Sequence, residues 1–166
     1  EPRMARHLHL PLQSGCDTTL ENMHRPYSTA LFRTRLRELR QALPYIAITT
    51  DVMVGFPGES EEDFKTSLKF CNDVEFSAVH VFKYSIRKGT PAAERSDQVE
   101  PQVKDRRARQ MADVAHKNQR VYARRFLDQT LSVLIEEERL PGVWSGHSSN
   151  YLHINVLSEH LSSGEI

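Results

Sequence analysis

The sequence has few cysteines, no long apolar run and no excess of charge of either sign. Its two cysteines, Cys16 and Cys71, form no CxxC pair, no zinc-ligand set and no disulfide framework, which favours a reducing compartment. No apolar stretch approaches the roughly 18 to 20 residues of a membrane-spanning helix, so we expect no membrane partner. Lys plus Arg and Asp plus Glu each total 22, and the resulting zero net charge by itself argues against a nucleic-acid partner.

Signatures of several enzyme and targeting classes are also missing. The chain has no GxSxG nucleophile turn and no Walker loop. It starts at Glu1 rather than methionine and carries no signal peptide, so we expect it to be part of a longer protein. Its 166 residues, 39% of them hydrophobic, suit one domain with a small appendage.

The neutral total conceals an uneven distribution of charge. Residues 51–75 hold seven acids and two lysines, whereas residues 104–125 hold eight bases and two acids. The basic segment is either a solvated helix face or a stripe that meets RNA phosphates, and the sequence leaves both interpretations open.

The first two thirds of the chain alternate between strand and helix patterns. Strands are predicted at 7–12, 46–54 and 78–84, and helices at 18–23, 29–43 and 61–74. Ser28 is expected to cap the second helix, and Ser60 with Asp63 the third. This alternation predicts an α/β fold with a parallel sheet.

The last third has a different pattern. A charged helix without glycine or proline is predicted over 103–126. Strands at 131–135 and 151–157 follow it, separated by turns at 141–142 and 146–150. We therefore expect a small β module at this end of the chain.

Polar residues follow each predicted parallel strand, at the edge where α/β sheets bind ligands. The end of the first strand carries Gln13, Ser14 and Gly15, the second carries Asp51 and then residues 55–59, and the third carries Tyr84, Ser85, Arg87 and residues 88–90. The glycine turn at 55–59 is either an anion-binding loop or only a tight connection. Asp51 interrupts an apolar strand, so it must lie at an end or be hydrogen-bonded.

Two further features have alternative roles. His7 and His9 alternate on one strand and would share a face, but no third ligand lies beside them in the sequence, so we favour a structural role and predict no metal site. Cys16 follows the first turn, where a plain small residue is favoured over a reactive thiol.

Four segments resemble the methylthiotransferases among the radical S-adenosylmethionine (SAM) enzymes. They are HLPLQSG at 9–15, TDVMVGFPGE at 50–59, VFKYSIRKGTPA at 81–92 and GHSSNY at 146–151. The resemblance implies the C-terminal part of a partial TIM-like (β/α) barrel over 1–126 and an incomplete TRAM-like RNA-binding module over 127–166.

The resemblance also implies a substrate. The second and third segments look most similar to the MtaB branch, which methylthiolates threonylcarbamoyladenosine 3′ of the tRNA anticodon. The MiaB branch, which acts on isopentenyladenosine, is the alternative. The RimO branch modifies a ribosomal protein and tends to carry acids near the third segment, where this chain has Arg87 and Lys88.

Cofactors follow from the resemblance as well. Relatives use SAM with two 4Fe–4S clusters to form a 5′-deoxyadenosyl radical that takes hydrogen from C2 of the target adenine. The CxxxCxxC motif of the radical cluster is absent here, so we predict no cluster ligand, no catalytic residue and no activity of this chain alone.

The resemblance assigns binding roles to ten residues. SAM would contact Gln13, Ser14, Arg25 and Asp51. The tRNA would contact Tyr84, Ser85, Arg87, Lys88, His147 and Tyr151. We expect a cytoplasmic location, and self-association through exposed strand edges. The competing hypothesis is a non-catalytic module that binds RNA or protein.

Overall fold

The computed structural model describes residues 5–166, which form two separate three-stranded sheets. The first sheet is parallel, and its strands and helices are β1 (His7–His9), α1 (Asp17–Asn22), α2 (Thr29–Ala42), β2 (Ala47–Val54), α3 (Glu61–Val74), β3 (Ala78–Lys83), α4 (Pro91–Glu94) and α5 (Pro101–Arg124). The second is antiparallel, and its strands are β4 (Val133–Leu140), β5 (Val143–Ser148) and β6 (His153–Leu157).

In the parallel sheet, β2 lies between β1 and β3. Its side chains alternate between two faces. Ile48, Val52 and Val54 lie on the face that packs into the apolar core, together with Phe64 and Cys71 of α3. The other face of the sheet carries polar side chains and is called the open face below. The predicted parallel α/β arrangement is confirmed.

Helix α3 begins where the sequence predicts. The Ser60 hydroxyl accepts from the Asp63 N–H, and the Asp63 carboxylate accepts from the Ser60 N–H, at 3.1 and 3.0 Å. Burial acts to raise the pKa of Asp63, but the hydrogen bonds from Ser60 hold that pKa below its ordinary value. The Ser28 hydroxyl likewise accepts from Leu31 N at the start of α2. Both predicted caps are confirmed.

Strand β5 occupies part of the segment 146–150, where a turn is predicted from the sequence, so that prediction is wrong. Gly146 lies inside β5, opposite Ile135 of β4. A Cβ atom at this position would clash with the Leu134 carbonyl oxygen, so glycine serves here to let two strands approach closely rather than to form a turn.

The two sheets meet at Tyr122, near the end of α5. Its side chain is 3% exposed, and its hydroxyl donates to the carbonyls of Tyr45 and Asn150, at 3.0 and 3.2 Å. Burial raises the pKa of Tyr122 to about 12. Since Asn150 belongs to the β5–β6 connection, one hydroxyl joins this connection to the end of the parallel sheet.

We expect Tyr122→Phe to lower the free energy of unfolding by about 1 to 3 kcal/mol, because it removes the hydroxyl that donates to both of these carbonyls. Urea denaturation followed by circular dichroism measures the change. Tyr45→Phe is the matched control, since Tyr45 is 58% exposed. If both variants lie within about 0.5 kcal/mol of the original protein, the junction does not depend on this hydroxyl.

Candidate functional site

The carboxyl ends of the three parallel strands meet at one edge. Gln13 N donates to the Asp51 carbonyl and Met53 N donates to the Gln13 carbonyl, both at 2.8 Å. Tyr84 N donates to the Val54 carbonyl at 2.9 Å. The turns that follow β1, β2 and β3 are therefore neighbours, as ligand sites in parallel α/β sheets require.

A cleft of about 480 Å³ opens at this edge beside β2 and β3. Its lining combines apolar, aromatic and basic side chains: Met53, Phe56, Phe82, Lys83, Tyr84, Ser85, Arg87, Thr90 and Ala92. The Tyr84 ring packs edge-on against Phe56 at 5.3 Å, with the Lys104 ammonium 5.1 Å from the ring centroid. Aromatic walls beside cations suit a planar ligand that carries negative charge.

Tyr84 lines this cleft, but its hydroxyl oxygen is buried. The residue is 9% exposed, and its buried hydroxyl oxygen makes no hydrogen bond to the described residues. A buried hydroxyl without a partner costs free energy. The cleft therefore offers a bound molecule the aromatic surface of Tyr84, and the hydroxyl becomes available to it only if the ring moves.

The predicted SAM-binding residues have different surroundings. Gln13 is half-buried and has a left-handed backbone, with φ of 67°. Ser14 is fully buried, and its hydroxyl accepts from Cys16 N at 3.2 Å. Arg25 is exposed after α1, close enough to Tyr27 to act on its pKa, which burial raises. Gln13 and Ser14 thus lie at the strand ends, while Arg25 lies on the loop beside them.

Asp51 lies on the open face rather than at the strand end. Its carboxylate Oδ2 is 3.3 Å from His9 Nε2. His9 Nδ1 lies 3.0 Å from Thr49 Oγ1, and His7 Nε2 lies 2.9 Å from the same oxygen. Burial and the neighbouring His9 lower the pKa of His7.

The predicted tRNA-binding residues fall into two groups. Tyr84, Ser85 and Arg87 line the cleft, and Lys88 is exposed next to them. Tyr151 instead stacks on His7, with ring centroids 4.1 Å apart, at the amino end of the parallel sheet. Strand β3, which joins the two ends, is six residues long, so the groups lie roughly 17 Å or more apart.

The second group forms its own small cleft. Tyr151 stacks on His147 at 5.3 Å, and His147 Nδ1 contacts the Glu136 carboxylate at 2.9 Å. Arg120 and Gln119 of α5 complete the lining. His147 and Tyr151, which the sequence predicted to contact tRNA, thus lie at the junction between α5 and the antiparallel sheet, away from the ends of the parallel strands.

Many bases of α5 contact α3. Arg106 pairs with Glu61 at 2.7 Å, and Arg125 pairs with Glu75, which follows α3, at 2.5 Å. Lys117 donates to Asn72 at 2.9 Å. Three of the eight bases at 104–125 thus pair with acids in or next to α3: Arg106, Arg107 and Arg125. Arg109, Arg120 and Arg124 are exposed, so the solvated-face and RNA-stripe interpretations both remain open.

The glycine turn at 55–59 is held by a buried ion pair that the sequence analysis did not predict. The side chains of Glu59 and Arg107 are 1% and 4% exposed, and Glu59 Oε2 accepts from Arg107 Nη1 at 2.8 Å. The same oxygen accepts from Gly55 N at 2.7 Å. Burial raises the pKa of Glu59, although Gly55 and Arg107 act to lower it. A sequence signal for this pair did exist: the GxPGE turn ends in an acid, and an arginine-rich helix follows it later in the chain.

Arg107→Met alone should lower the free energy of unfolding by about 3 to 5 kcal/mol, because it leaves the buried Glu59 charge without its partner. Glu59→Met should lower it less, because Arg107 keeps its 3.3 Å contact with Glu61. The double Met variant should recover most of that loss. Guanidinium denaturation of the four proteins measures the coupling. Lys69→Met, which breaks an exposed pair with Asp73, should leave stability nearly unchanged. Additive effects of the two single changes would contradict a direct pairing.

The cysteines do not fit an iron–sulfur cluster. Cys16 is buried at the start of α1 and its thiol donates to Asp63 Oδ1 at 3.3 Å. Cys71 is 0% exposed in α3, and burial raises its pKa to about 12, which disfavours the thiolate that a cluster requires. No cluster-dependent step can therefore be derived from this chain's own side chains.

The sequence is similar to known proteins of one superfamily. Residues 3–71 match the radical SAM superfamily. The chain is 38% identical over 156 residues to the threonylcarbamoyladenosine tRNA methylthiotransferase MtaB of Bacillus subtilis, covering 92% of this chain and 35% of that protein. It is 39% identical over 137 residues to the tRNA-2-methylthio-N(6)-dimethylallyladenosine synthase of Methylacidiphilum infernorum, covering 82% of this chain and 29% of that protein.

The chain belongs to the radical SAM methylthiotransferase family. A synthase of the same name from Francisella philomiragia is 35% identical over 166 residues, covering 99% of this chain and 38% of that protein. The chain thus spans about a third of the length of these curated relatives. The resemblance seen in the sequence is confirmed at the level of the family.

A solved structure supports the fold. Coproporphyrinogen III oxidase (HemN) from Escherichia coli, a radical SAM enzyme, has a TM-score of 0.58 and 17% sequence identity, covering 68% of this chain and 27% of that chain. The predicted fold class, part of a radical SAM barrel followed by a small β module, is confirmed.

Proposed function

We propose that this chain is part of a tRNA-modifying enzyme that transfers a methylthio group to C2 of threonylcarbamoyladenosine 3′ of the anticodon. The observation that carries the proposal is the cleft at the strand ends, where Tyr84, Phe56 and Arg87 of this chain surround one opening. Aromatic rings can stack on a base, and arginine can pair with phosphate. Basic Arg87 and Lys88 suit RNA better than an acidic protein substrate.

The alternative substrate is dimethylallyladenosine, the isopentenyladenosine of the MiaB branch. Relatives of both names match this chain at 38% and 39% identity, so identity does not separate them. The basic pair at 87–88 beside the cleft is our reason to favour the carbamoylated nucleoside. Its threonyl carboxylate carries a negative charge that the dimethylallyl group lacks, and Arg87 can bind a carboxylate through two hydrogen bonds.

Four residues are proposed to contact SAM. The Gln13 amide and the Ser14 turn lie at the strand ends, where they would meet the ribose or the polar end of the molecule. The Arg25 guanidinium would bind its carboxylate through two parallel hydrogen bonds. Asp51 would accept a hydrogen bond from a hydroxyl group. In the family, SAM supplies the radical chemistry, and the protein's part is to bind and orient.

The tRNA contacts are proposed to extend over two places. Tyr84, Ser85, Arg87 and Lys88 would meet the modified nucleoside and its neighbours. The cleft at His147 and Tyr151, beside Arg120, would meet a separate part of the tRNA backbone. The distance between the places favours a long, folded RNA over a short oligonucleotide.

The setting of this function is also proposed. Within residues 5–166, none of the helices combines the length and the apolarity that crossing a bilayer requires. Because the proposed substrate is tRNA, we place the activity in the cytoplasm.

Strands β1 and β3 are the edges of the parallel sheet, and they are the proposed sites of self-association of this chain.

Deletion of the gene that encodes this chain tests the substrate. We expect methylthiolated threonylcarbamoyladenosine to disappear from hydrolysed tRNA, as measured by liquid chromatography and mass spectrometry. Reintroducing the gene should restore it, whereas the Arg87→Gln gene should restore less. Loss of the methylthiolated dimethylallyl nucleoside instead would assign the MiaB activity. If neither nucleoside changes, the chain belongs to a non-catalytic module that binds RNA or protein.

Anaerobic reconstitution with iron and sulfide tests the proposal that the chain alone is inactive. We expect no stoichiometric cluster absorption, because the two cysteines are buried and far from a CxxxCxxC arrangement. A Cys16→Ser protein is the control for incidental iron binding. A stoichiometric cluster that is lost in this variant would show that Cys16 is a ligand and that our assignment of it is wrong.

A further inference from the structure

Three potential metal ligands meet on the open face of the parallel sheet. Each of the three strands contributes one of them: His9, Asp51 and His80. One nitrogen or oxygen atom of each lies within 4.8 Å of the others. Within residues 5–166 no other group of three such residues comes together in this way.

The pairing of the strands explains this arrangement. Asp51 lies directly opposite His80 on β3, and Thr49, two residues before Asp51, lies opposite His9 on β1. Residues two apart point to the same face of a sheet. Side chains 29 to 71 residues apart along the chain are thereby brought to one patch, which the spacing of His7 and His9 alone did not reveal.

We propose that His9, Asp51 and His80 bind a divalent transition-metal ion of the zinc class. Two imidazoles and one carboxylate form a common ligand set for such ions. Ligands about 2.0 to 2.2 Å from a tetrahedral ion lie roughly 3.3 to 3.6 Å from one another, and His9 Nε2 and Asp51 Oδ2 are 3.3 Å apart. This site goes beyond the proposed tRNA modification and does not depend on it. The ion would take Asp51 Oδ2, which leaves the other carboxylate oxygen for the SAM contact proposed above.

His80, the third ligand, can reach the ion by side-chain rotation without a change in the backbone. His80 is exposed, and its ring lies edge-on to His9 with centroids 6.0 Å apart. Rotation about its side-chain bonds suffices to bring a ring nitrogen nearer. Because His9 and His80 are both exposed, a fourth position stays accessible to water.

The buried hydroxyl of Thr49 orients His9. The Thr49 side chain is 1% exposed, and its oxygen lies 3.0 Å from His9 Nδ1, the nitrogen that does not face Asp51. Histidine ligands commonly have their second nitrogen held by such a partner, which fixes the ring and the tautomer. This contact is present on His9 without any metal, so the ring is already placed for coordination.

Metal binding should reverse a chain of hydrogen bonds. When neutral His9 donates from Nε2 to Asp51, its Nδ1 accepts from the Thr49 hydroxyl, and Thr49 accepts from His7 Nε2. An ion on His9 Nε2 needs that lone pair, so Nδ1 carries the proton and donates to Thr49. The Thr49 hydroxyl then donates to His7, whose proton moves to Nδ1. His7 thus reports on the ion without binding it.

Calorimetric titration of the full chain with Zn²⁺ tests the proposal. We expect one ion per chain, and at least about 100-fold weaker binding for His80→Gln, which changes an exposed side chain and leaves the fold intact. Asp51→Asn should weaken binding similarly. Thr49→Val should weaken it about 10-fold to 100-fold, as the loss of an orienting partner does.

The matched control is His153→Gln, which removes another exposed histidine beside His147 and should bind Zn²⁺ like the original chain. Unchanged binding in both His80→Gln and Asp51→Asn would show adventitious coordination by other histidines and overturn the proposal. Absence of binding in the original chain would also overturn it.

Nuclear magnetic resonance of the histidine nitrogens supplies an independent readout. At a pH where the rings are neutral, Zn²⁺ should move the proton of His7 from Nε2 to Nδ1 in the original chain and leave it in place in His80→Gln. An unchanged His7 tautomer in a chain saturated with Zn²⁺ would show that the ion is not on His9 and would overturn the assignment. Neither readout involves tRNA or SAM, so failure of the proposed function leaves this test unaffected.

Discussion

The buried pair of Glu59 and Arg107 holds the parallel half of the protein together. Glu59 ends the turn after β2, and Arg107 lies in the first half of α5, so their ion pair fixes the last helix against the sheet. The Glu59 carboxylate also receives the Gly55 N–H and so sets the course of the turn. Since the turn borders the cleft through Phe56, the shape of the proposed substrate site depends on a charge pair outside it.

Local signals in the sequence predicted the helices well and the last strands poorly. Helix α3 has the bounds that the cap at Ser60 and its apolar spacing predicted. Helix α4, a single turn at Pro91–Glu94, was too short to produce a periodic pattern. Strand β5 contains Gly146 and polar residues, and it is a strand because β4 and β6 pair with it on both sides. Pairing of this kind depends on tertiary structure and leaves little trace in the strand's own sequence.

In the candidate site, too, some features were predictable from the local sequence and others depend on tertiary structure. The turns at Gln13, Gly55 and Tyr84 were expected at one edge because parallel strands require it, and the structure brings them together. The place of Tyr151 depends on how the antiparallel sheet docks, through Tyr122, which no local pattern encodes. The grouping of His9, Asp51 and His80 depends on the registers of two strand pairs, which the sequence does not specify.

The pairing pattern also bears on the order in which the chain can fold during synthesis. Strands β4, β5 and β6 pair with sequence neighbours and can form as soon as they are made. The Glu59 carboxylate, by contrast, must wait for Arg107, 48 residues later in the chain. Until that residue has left the ribosome, Glu59 has to remain hydrated and the 55–59 turn cannot be buried. The parallel sheet therefore acquires its final form only after α5 emerges, well after its own strands have been made.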